Sequence, residues 1–216
     1  MTIELFVFPP SPNAFKVLAV ANQLGIEYTL RFLNLLKGEQ KSPQYAALNA
    51  NMKMPTLREG DFVLWESNAI MQYLASKRPE AGLLPREERL RADVSRWQFW
   101  DTAHWHPACA ALAFENVVKP LLGLGAPDPD VIERAQAPFH AVARVLDAHL
   151  TGRRYVAGDT LTLADFSLGA AMNLAERAQY PVKPYVEMKR WHASLMALPA
   201  WTRTLAMTAP PAAAAA

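Results

Sequence analysis

IELFVFPPSPNAFKVLAVANQLGIEYTLRFL, residues 3–33, decides the fold. IELFVF (3–8) is an apolar run too short for a helix and reads as a buried strand. PPSPN (9–13) is a turn. AFKVLAVANQLG (14–25) sets Phe15, Leu18, Ala19 and Asn22 at helical spacing and stops at Gly25, a helix C-terminal signal. EYTLRFL (27–33) alternates and is rich in β-formers, so it predicts a second strand. The order strand–helix–strand implies two parallel strands joined by a right-handed crossover.

Downstream, residues 34–54 are polar and irregular. PTLREGDFVLWE (55–66) reads as a hairpin, with TLRE and FVLW as strands and Gly60-Asp61 as the turn. SNAIMQYLASKR (67–78) has the apolar spacing of a helix, and Pro79 stops it. Residues 1–78 thus predict an α/β domain of the order βαβ–ββα with a mixed four-stranded sheet. PEAGLLPREE (79–88) reads as a linker. From Arg89 helical periodicity dominates: 89–106, continuing past Pro107 towards 119, then 129–150, 163–178 and 185–197. The expectation is an all-α domain over 89–207, packed as a bundle, followed by a frayed Ala/Pro tail over 208–216.

With 51% hydrophobic residues, the chain can bury a sizeable core. Net charge is only +2 and no Lys/Arg block occurs, so no nucleic-acid partner is expected. The single cysteine, Cys109, excludes an internal disulfide or a cysteine zinc site and fits a reducing cytosol. MTIELFVF lacks signal-peptide features, and no apolar run approaches the roughly 20 residues of a membrane span. The expected setting is cytoplasmic, away from membranes.

Ser11-Pro12-Asn13 lies between the first strand and the first helix. Serine is a good N-cap and proline suits the first helical position, so capping alone explains the triplet. The same geometry stabilises an anion, because a helix start offers free N–H groups and a positive dipole end. A hydroxyl there can donate to a thiolate. An ordinary thiol has a pKa of about 8.5. Lowering it by about two units takes roughly 2.7 kcal/mol, within reach of one charge-assisted hydrogen bond plus a helix dipole. The nucleophile would then belong to a bound thiol.

Met54-Pro55 precedes the third strand, where an X-Pro bond is either an ordinary strand entry or cis. Trp65-Glu66-Ser67-Asn68 opens the next helix; it reads as a cap or as a carboxylate site built from Ser67 and backbone N–H groups. Lys41 and Lys53 are either surface lysines or a second carboxylate site. Thr162-Leu163-Ala164-Asp165 resembles a capping box with Asp in place of Glu, and reads as structural. Trp97, Phe99, Trp100 and Trp105 read as core or interface. His104, His106 and Cys109 are interrupted by Pro107, and no metal is expected.

These pieces together resemble the glutathione transferase family over about residues 3–203. SPNAFKVL, GEQKSPQYAALNANMKMPTLREGDFVLWESNAIMQYLA, CAALAFENVVKPLLGL, YVAGDTLTLADF and WHASLMALPAW carry the resemblance. AFENVVKPLLGL and EGDFVLWESNAI resemble the phi class, and Ser-Pro-Asn also resembles the nu class, which has Thr-Pro-Asn there. The resemblance implies a thioredoxin-like first domain, an all-helical second one, and a homodimer. It implies that Ser11 donates to the glutathione sulfur with Asn13 assisting, and that the Met54 backbone, before a cis Pro55, pairs with the cysteinyl part. Glu66 and Ser67 would hold the γ-glutamyl end, and Lys41 the glycine carboxylate. Gln40 stands where phi-like sequences often have His, and Lys53 where Gln is common, which implies rearranged carboxylate contacts. Pro12, Leu35, Phe114 and Val118 are the implied lining for a small apolar electrophile between the domains. Glutathione is a co-substrate, and the implied reaction is conjugation. Glutathione-dependent disulfide or peroxide reduction, and a non-catalytic adaptor role, stay open as alternatives.

Overall fold

The computed structural model describes residues 2–208. The expected first strand is β1 (Ile3–Val7); rather than being buried throughout it alternates, with Ile3, Leu5 and Val7 buried and Glu4 and Phe6 half-buried. β1 pairs in parallel with β2 (Tyr28–Phe32) and antiparallel with β3 (Thr56–Glu59). β4 (Phe62–Trp65) closes the sheet on β3, giving the order β2-β1-β3-β4. The mixed four-stranded sheet and its βαβ–ββα connectivity follow the sequence reading.

α1 (Pro12–Gln23) buries every residue from Ala14 to Ala21. It ends in a Schellman motif: Ile26 N–H donates to Ala21 O, and Gly25 N–H to Asn22 O. Gly25 takes the left-handed conformation this requires, with φ 61°. α3 (Ser67–Ser76) packs beside α1, so Val17, Leu18, Ile70 and Leu74 share the core with Leu5 and Leu57. The irregular segment 34–54 contains a short helix, α2 (Pro43–Leu48), which Ser42 caps by accepting from Tyr45 N–H. Six residues are too few for a visible 3.6 period.

Among the described residues the chain divides into two compact units, 2–84 with 197–208, and 85–196. This differs from the boundary expected at 207. Residues 199–208 form a further helix, here α10 (Pro199–Thr208), that returns to α1. Trp201 is fully buried with its ring centroid 4.9 Å from Phe15, and Asn22 Nδ2 donates to Thr204 Oγ1 at 2.8 Å. Thr208, assigned to the tail from sequence, is the last residue of α10, and the rest of that tail, 209–216, lies outside the described residues.

The second unit is helical. α4 (Glu88–Trp100), α5 (His106–Ala113) and α6 (Lys119–Leu121) run on through two π-turns, Asp101–Trp105 and Phe114–Val118. α7 (Pro129–Leu150) has the expected bounds. α8 (Leu163–Met172) buries all ten residues but stops short of 178, the chain turning instead towards α9 (Val186–Met196). A helix apolar on all faces sits in a core, and Trp105, also fully buried, donates from Nε1 to Leu168 O on it. Phe99 departs from its aromatic neighbours and is 75% exposed. Among the described residues no helix is long and apolar enough to cross a membrane.

Candidate functional site

Sheet register brings three loops to one end. Phe6 on β1 lies opposite Thr56 on β3, and Thr56 lies opposite Trp65 on β4. The chain leaving β1 towards Ser11, the chain entering β3 through Pro55, and the chain leaving β4 through Glu66 therefore share that end.

Ser11 is the N-cap of α1, in an extended conformation (φ −74°, ψ 130°). Its backbone N–H donates to Phe8 O and its carbonyl accepts from Phe15 N–H, but its side chain makes no capping hydrogen bond. The hydroxyl is thus not spent on the cap, which was the simplest account of a serine at this position. The early N–H groups of a helix lack intrahelical partners, and Pro12 has none to offer, so the anion-stabilising donors of this turn begin at Asn13.

Ser67, buried, starts α3 and donates from Oγ to Asn13 Oδ1 at 3.3 Å. The first turns of α1 and α3 are joined through these two side chains. Glu66, the residue before, is exposed and holds φ 72°, ψ 112°. A non-glycine residue in that region carries backbone strain, which persists where the surroundings enforce it and concentrates at ligand-binding positions. The Met54–Pro55 bond is cis, with Pro55 buried and Met54 half-buried.

A clamp not foreseen from sequence supports that loop. Tyr45 Oη donates to Lys53 O at 2.6 Å and lies 2.8 Å from Thr56 Oγ1. Asn49 Nδ2 donates to Lys53 O at 2.8 Å and Thr56 Oγ1 at 3.0 Å. Burial pushes the Tyr45 phenol up, against the pull of Thr56 and Asn49, so it stays a neutral donor. Tyr45 and Asn49 are four apart; had α2 been recognised, that spacing would have set both on one face.

Gln40 and Lys41 lie in a 3₁₀ turn, Glu39–Lys41, that leads into α2. Lys41 and Lys53 are exposed, and Gln40 Oε1 is buried with no hydrogen-bond partner. Buried polar atoms are nearly always paired, so this amide suits a ligand donor. Leu35 lies in the preceding 3₁₀ turn, and Pro12 heads α1, both half-buried. Phe114 and Val118 belong to the second unit and bound its second π-turn, Phe114 being 44% exposed and Val118 half-buried.

Cys109 does not compete for a nucleophilic role. It is 2% exposed, and burial, together with the nearby Asp101 carboxylate, pushes its thiol well above the ordinary value. Reactive cysteines show the opposite environment. Among the described residues no group of three or more His, Cys, Asp or Glu could hold a metal ion.

A thioredoxin-like domain with a cis-proline before its third strand, followed by a helical second unit, defines a class of two-part proteins. Comparison with known proteins makes the class specific. Residues 1–76 match the glutathione S-transferase N-terminal domain family, and residues 109–199 the C-terminal domain family. Glutathione S-transferase 3 of Zea mays is 36% identical over 212 residues, covering 94% of this chain and 93% of its own. Probable glutathione S-transferase GSTF2 of Oryza sativa subsp. japonica is 31% identical, covering 97% and 99%. Among solved structures, glutathione S-transferase III in its apo form superposes with a TM-score of 0.86 at 34% identity, covering 98% and 99%. Glutathione transferase F7 from Populus trichocarpa gives 0.88 at 27% identity, covering 97% and 100%. The chain belongs to the glutathione S-transferase family and is a transferase of that family.

Proposed function

We propose that this chain binds glutathione, holds its sulfur as a thiolate with the Ser11 hydroxyl, and transfers it to small apolar electrophiles. The observation that carries this reading is the Ser11 hydroxyl at the start of α1, which makes no capping bond. Asn13 assists from the next turn position. The Met54 backbone beside cis Pro55 pairs with the cysteinyl unit, and Glu66 and Ser67 receive the γ-glutamyl end. Lys41 and Lys53 take the glycine carboxylate, and Gln40 Oε1 accepts from an N–H group of glutathione. Phe114 and Val118, with Pro12 and Leu35, supply apolar contacts to the electrophile, as such pockets require.

In the reaction the thiol proton goes to solvent on binding, and the thiolate sulfur attacks an electron-poor carbon. With a chloronitroaromatic, a carbon–sulfur bond forms, the carbon–chlorine bond breaks and chloride leaves. The protein contributes thiolate stabilisation and proximity. We also infer that the protein is cytoplasmic and works as a homodimer; sedimentation of the purified chain tests the dimer directly.

The decisive experiment is a pH titration of the bound thiolate by its ultraviolet absorbance. Ser11→Ala is expected to raise its pKa by about one to two units, the worth of one charge-assisted hydrogen bond. Identical titrations would remove Ser11 from the mechanism. Turnover of a mixed disulfide, compared with that of a chloronitroaromatic, separates conjugation from reduction.

A further inference from the structure

Phe114–Val118 is a π-turn, with the Lys119 N–H donating to Phe114 O five residues back. Such turns insert one residue into a helix, so everything beyond is rotated by about 100° relative to a regular α-helix. This insertion does not stand alone. Asn116 Nδ2 donates to Leu112 O at 3.2 Å, within the same helix, and to Ala178 O at 3.0 Å, in the turns after α8. Glu115 is 4% exposed, and its Oε2 accepts from Lys119 Nζ and from Asp128 N–H, both at 2.8 Å. Asp128 is in turn the N-cap of α7. Two adjacent side chains thus tie the π-turn to two separate parts of the helical unit.

Buried ionic groups are weak contributors to net stability, and their best-attested use is to fix register. Here the register in question is the angle between Phe114 and Val118, the first and last residues of the turn, which face outward while Glu115 and Val117 are buried. Relaxing the turn to regular α geometry would carry Val118 and Leu121 round the helix relative to Phe114.

We propose that Glu115 and Asn116 are positioning residues that hold this π-turn and thereby set which electrophiles the Phe114–Val118 face accepts. The inference rests on the reading that Phe114 and Val118 contact the electrophile. Its signature is a change in discrimination between electrophiles of different size, with glutathione handling unmoved.

The test measures kcat/KM for a chlorodinitrobenzene and a bulkier chlorodinitronaphthalene, together with KM for glutathione and the bound-thiolate pKa. Asn116→Ala is expected to move the ratio of the two kcat/KM values by about fivefold, the scale of a lost buried hydrogen bond. KM for glutathione and the thiolate pKa should stay at wild-type values. Glu115→Gln, which keeps an acceptor for Asp128 N–H but removes the negative charge that faces Lys119 Nζ, should move the ratio the same way by less. Its Lys119 amide should also exchange hydrogen faster than in wild type. An unchanged ratio in folded Asn116→Ala overturns the proposal, as does an unchanged ratio in Glu115→Gln should Asn116→Ala not fold. Phe114→Ala separates the two levels. If it shifts the ratio while Asn116→Ala does not, the positioning role fails and the pocket reading survives. If it does not shift the ratio, the pocket reading itself fails.

Discussion

The Ser67 hydroxyl donates to Asn13 Oδ1 across 3.3 Å and so couples the first turn of α3 to the first turn of α1. Two jobs proposed for the site, gripping the γ-glutamyl end and stabilising the sulfur, therefore sit on adjoining side chains. They can still be separated. Ser67→Ala is expected to weaken glutathione binding by about tenfold, the cost of a hydrogen bond to a charged group, while the pKa of the bound thiolate stays put. Calorimetry paired with the thiolate titration checks both halves. A thiolate pKa that rises in Ser67→Ala as far as in Ser11→Ala would mean the two jobs are not separable, the sulfur being held through the Ser67–Asn13 pair as well as by Ser11.

The Tyr45 clamp gives a second, independent handle on glutathione binding. Tyr45→Phe keeps the buried ring and its neighbour Phe6, at 6.1 Å between centroids, but removes the hydroxyl from Lys53 O and Thr56 Oγ1. Asn49 remains on both acceptors, so the loop before cis Pro55 loosens without being freed. Stability should fall by about 1 kcal/mol and KM for glutathione should rise about fivefold, with kcat for a saturating electrophile unchanged. A variant with wild-type KM would show that the Met54 backbone is held without Tyr45.

The first domain was largely legible in the sequence because its signals are local. Ile3–Phe8, the helix ending at Gly25, and the Gly60-Asp61 turn each announce themselves within a few residues, and the mixed sheet follows from their order. Ser11, Pro55 and Ser67 could be named for the same reason: each sits where an element begins. Other features depend on partners distant in the chain. α10 belongs with α1 because Trp201 meets Phe15 and Thr204 meets Asn22, pairings 182 or more residues apart that no periodicity reveals. The second π-turn was hidden because apolar spacing at 114 and 118 suits a regular helix equally well, while the side-chain hydrogen bonds that anchor it run to residues 128 and 178. The missing link between Ser67 and Asn13 is of this kind too.

Asp165 shows how a local signal can understate a residue. The sequence marks it as the far end of a capping box, and its Oδ2 does accept from Thr162 N–H at 2.9 Å and Thr162 Oγ1 at 3.2 Å. Its Oδ1 accepts from Val156 N–H and Trp191 Nε1, both at 2.9 Å, so one fully buried carboxylate ties the loop before α8 and α9 to the helix start. Burial raises its pKa and these four donors oppose the rise. Asp165→Asn keeps the size but turns an NH₂ group towards donors on one side. It is expected to cost about 3 kcal/mol, because it strands buried N–H groups. A lower urea midpoint at unchanged m-value would report it. A midpoint equal to wild type would show that the hub is dispensable.

His192 makes stability depend on pH in a defined direction. It is 9% exposed on α9, its Nε2 lies 3.1 Å from Asn173 Oδ1, and burial pulls its pKa from 6.5 down to about 4. Above 6.5 the ring is neutral in both folded and unfolded chains, and this stabilising difference is fully present. As pH falls below 6.5 the unfolded chain takes up a proton that the folded chain refuses, so stability drops, levelling off below the folded value with a total loss of about 3 kcal/mol. Glu4, held low by Arg31 and Arg58, and Glu59, held low by Lys77 and Tyr73, also cost stability in acid, but only once pH reaches their unfolded value of 4.5. The interval from 6.5 to about 5 therefore separates the histidine from these carboxylates, and its share there is about 2 kcal/mol. Urea unfolding of wild type and His192→Gln across that interval measures it. The variant should lose about that much less on acidification, since its amide does not titrate; parallel curves would mean that the imidazole takes up its proton as readily in the folded chain as in the unfolded one, so that burial does not lower its pKa.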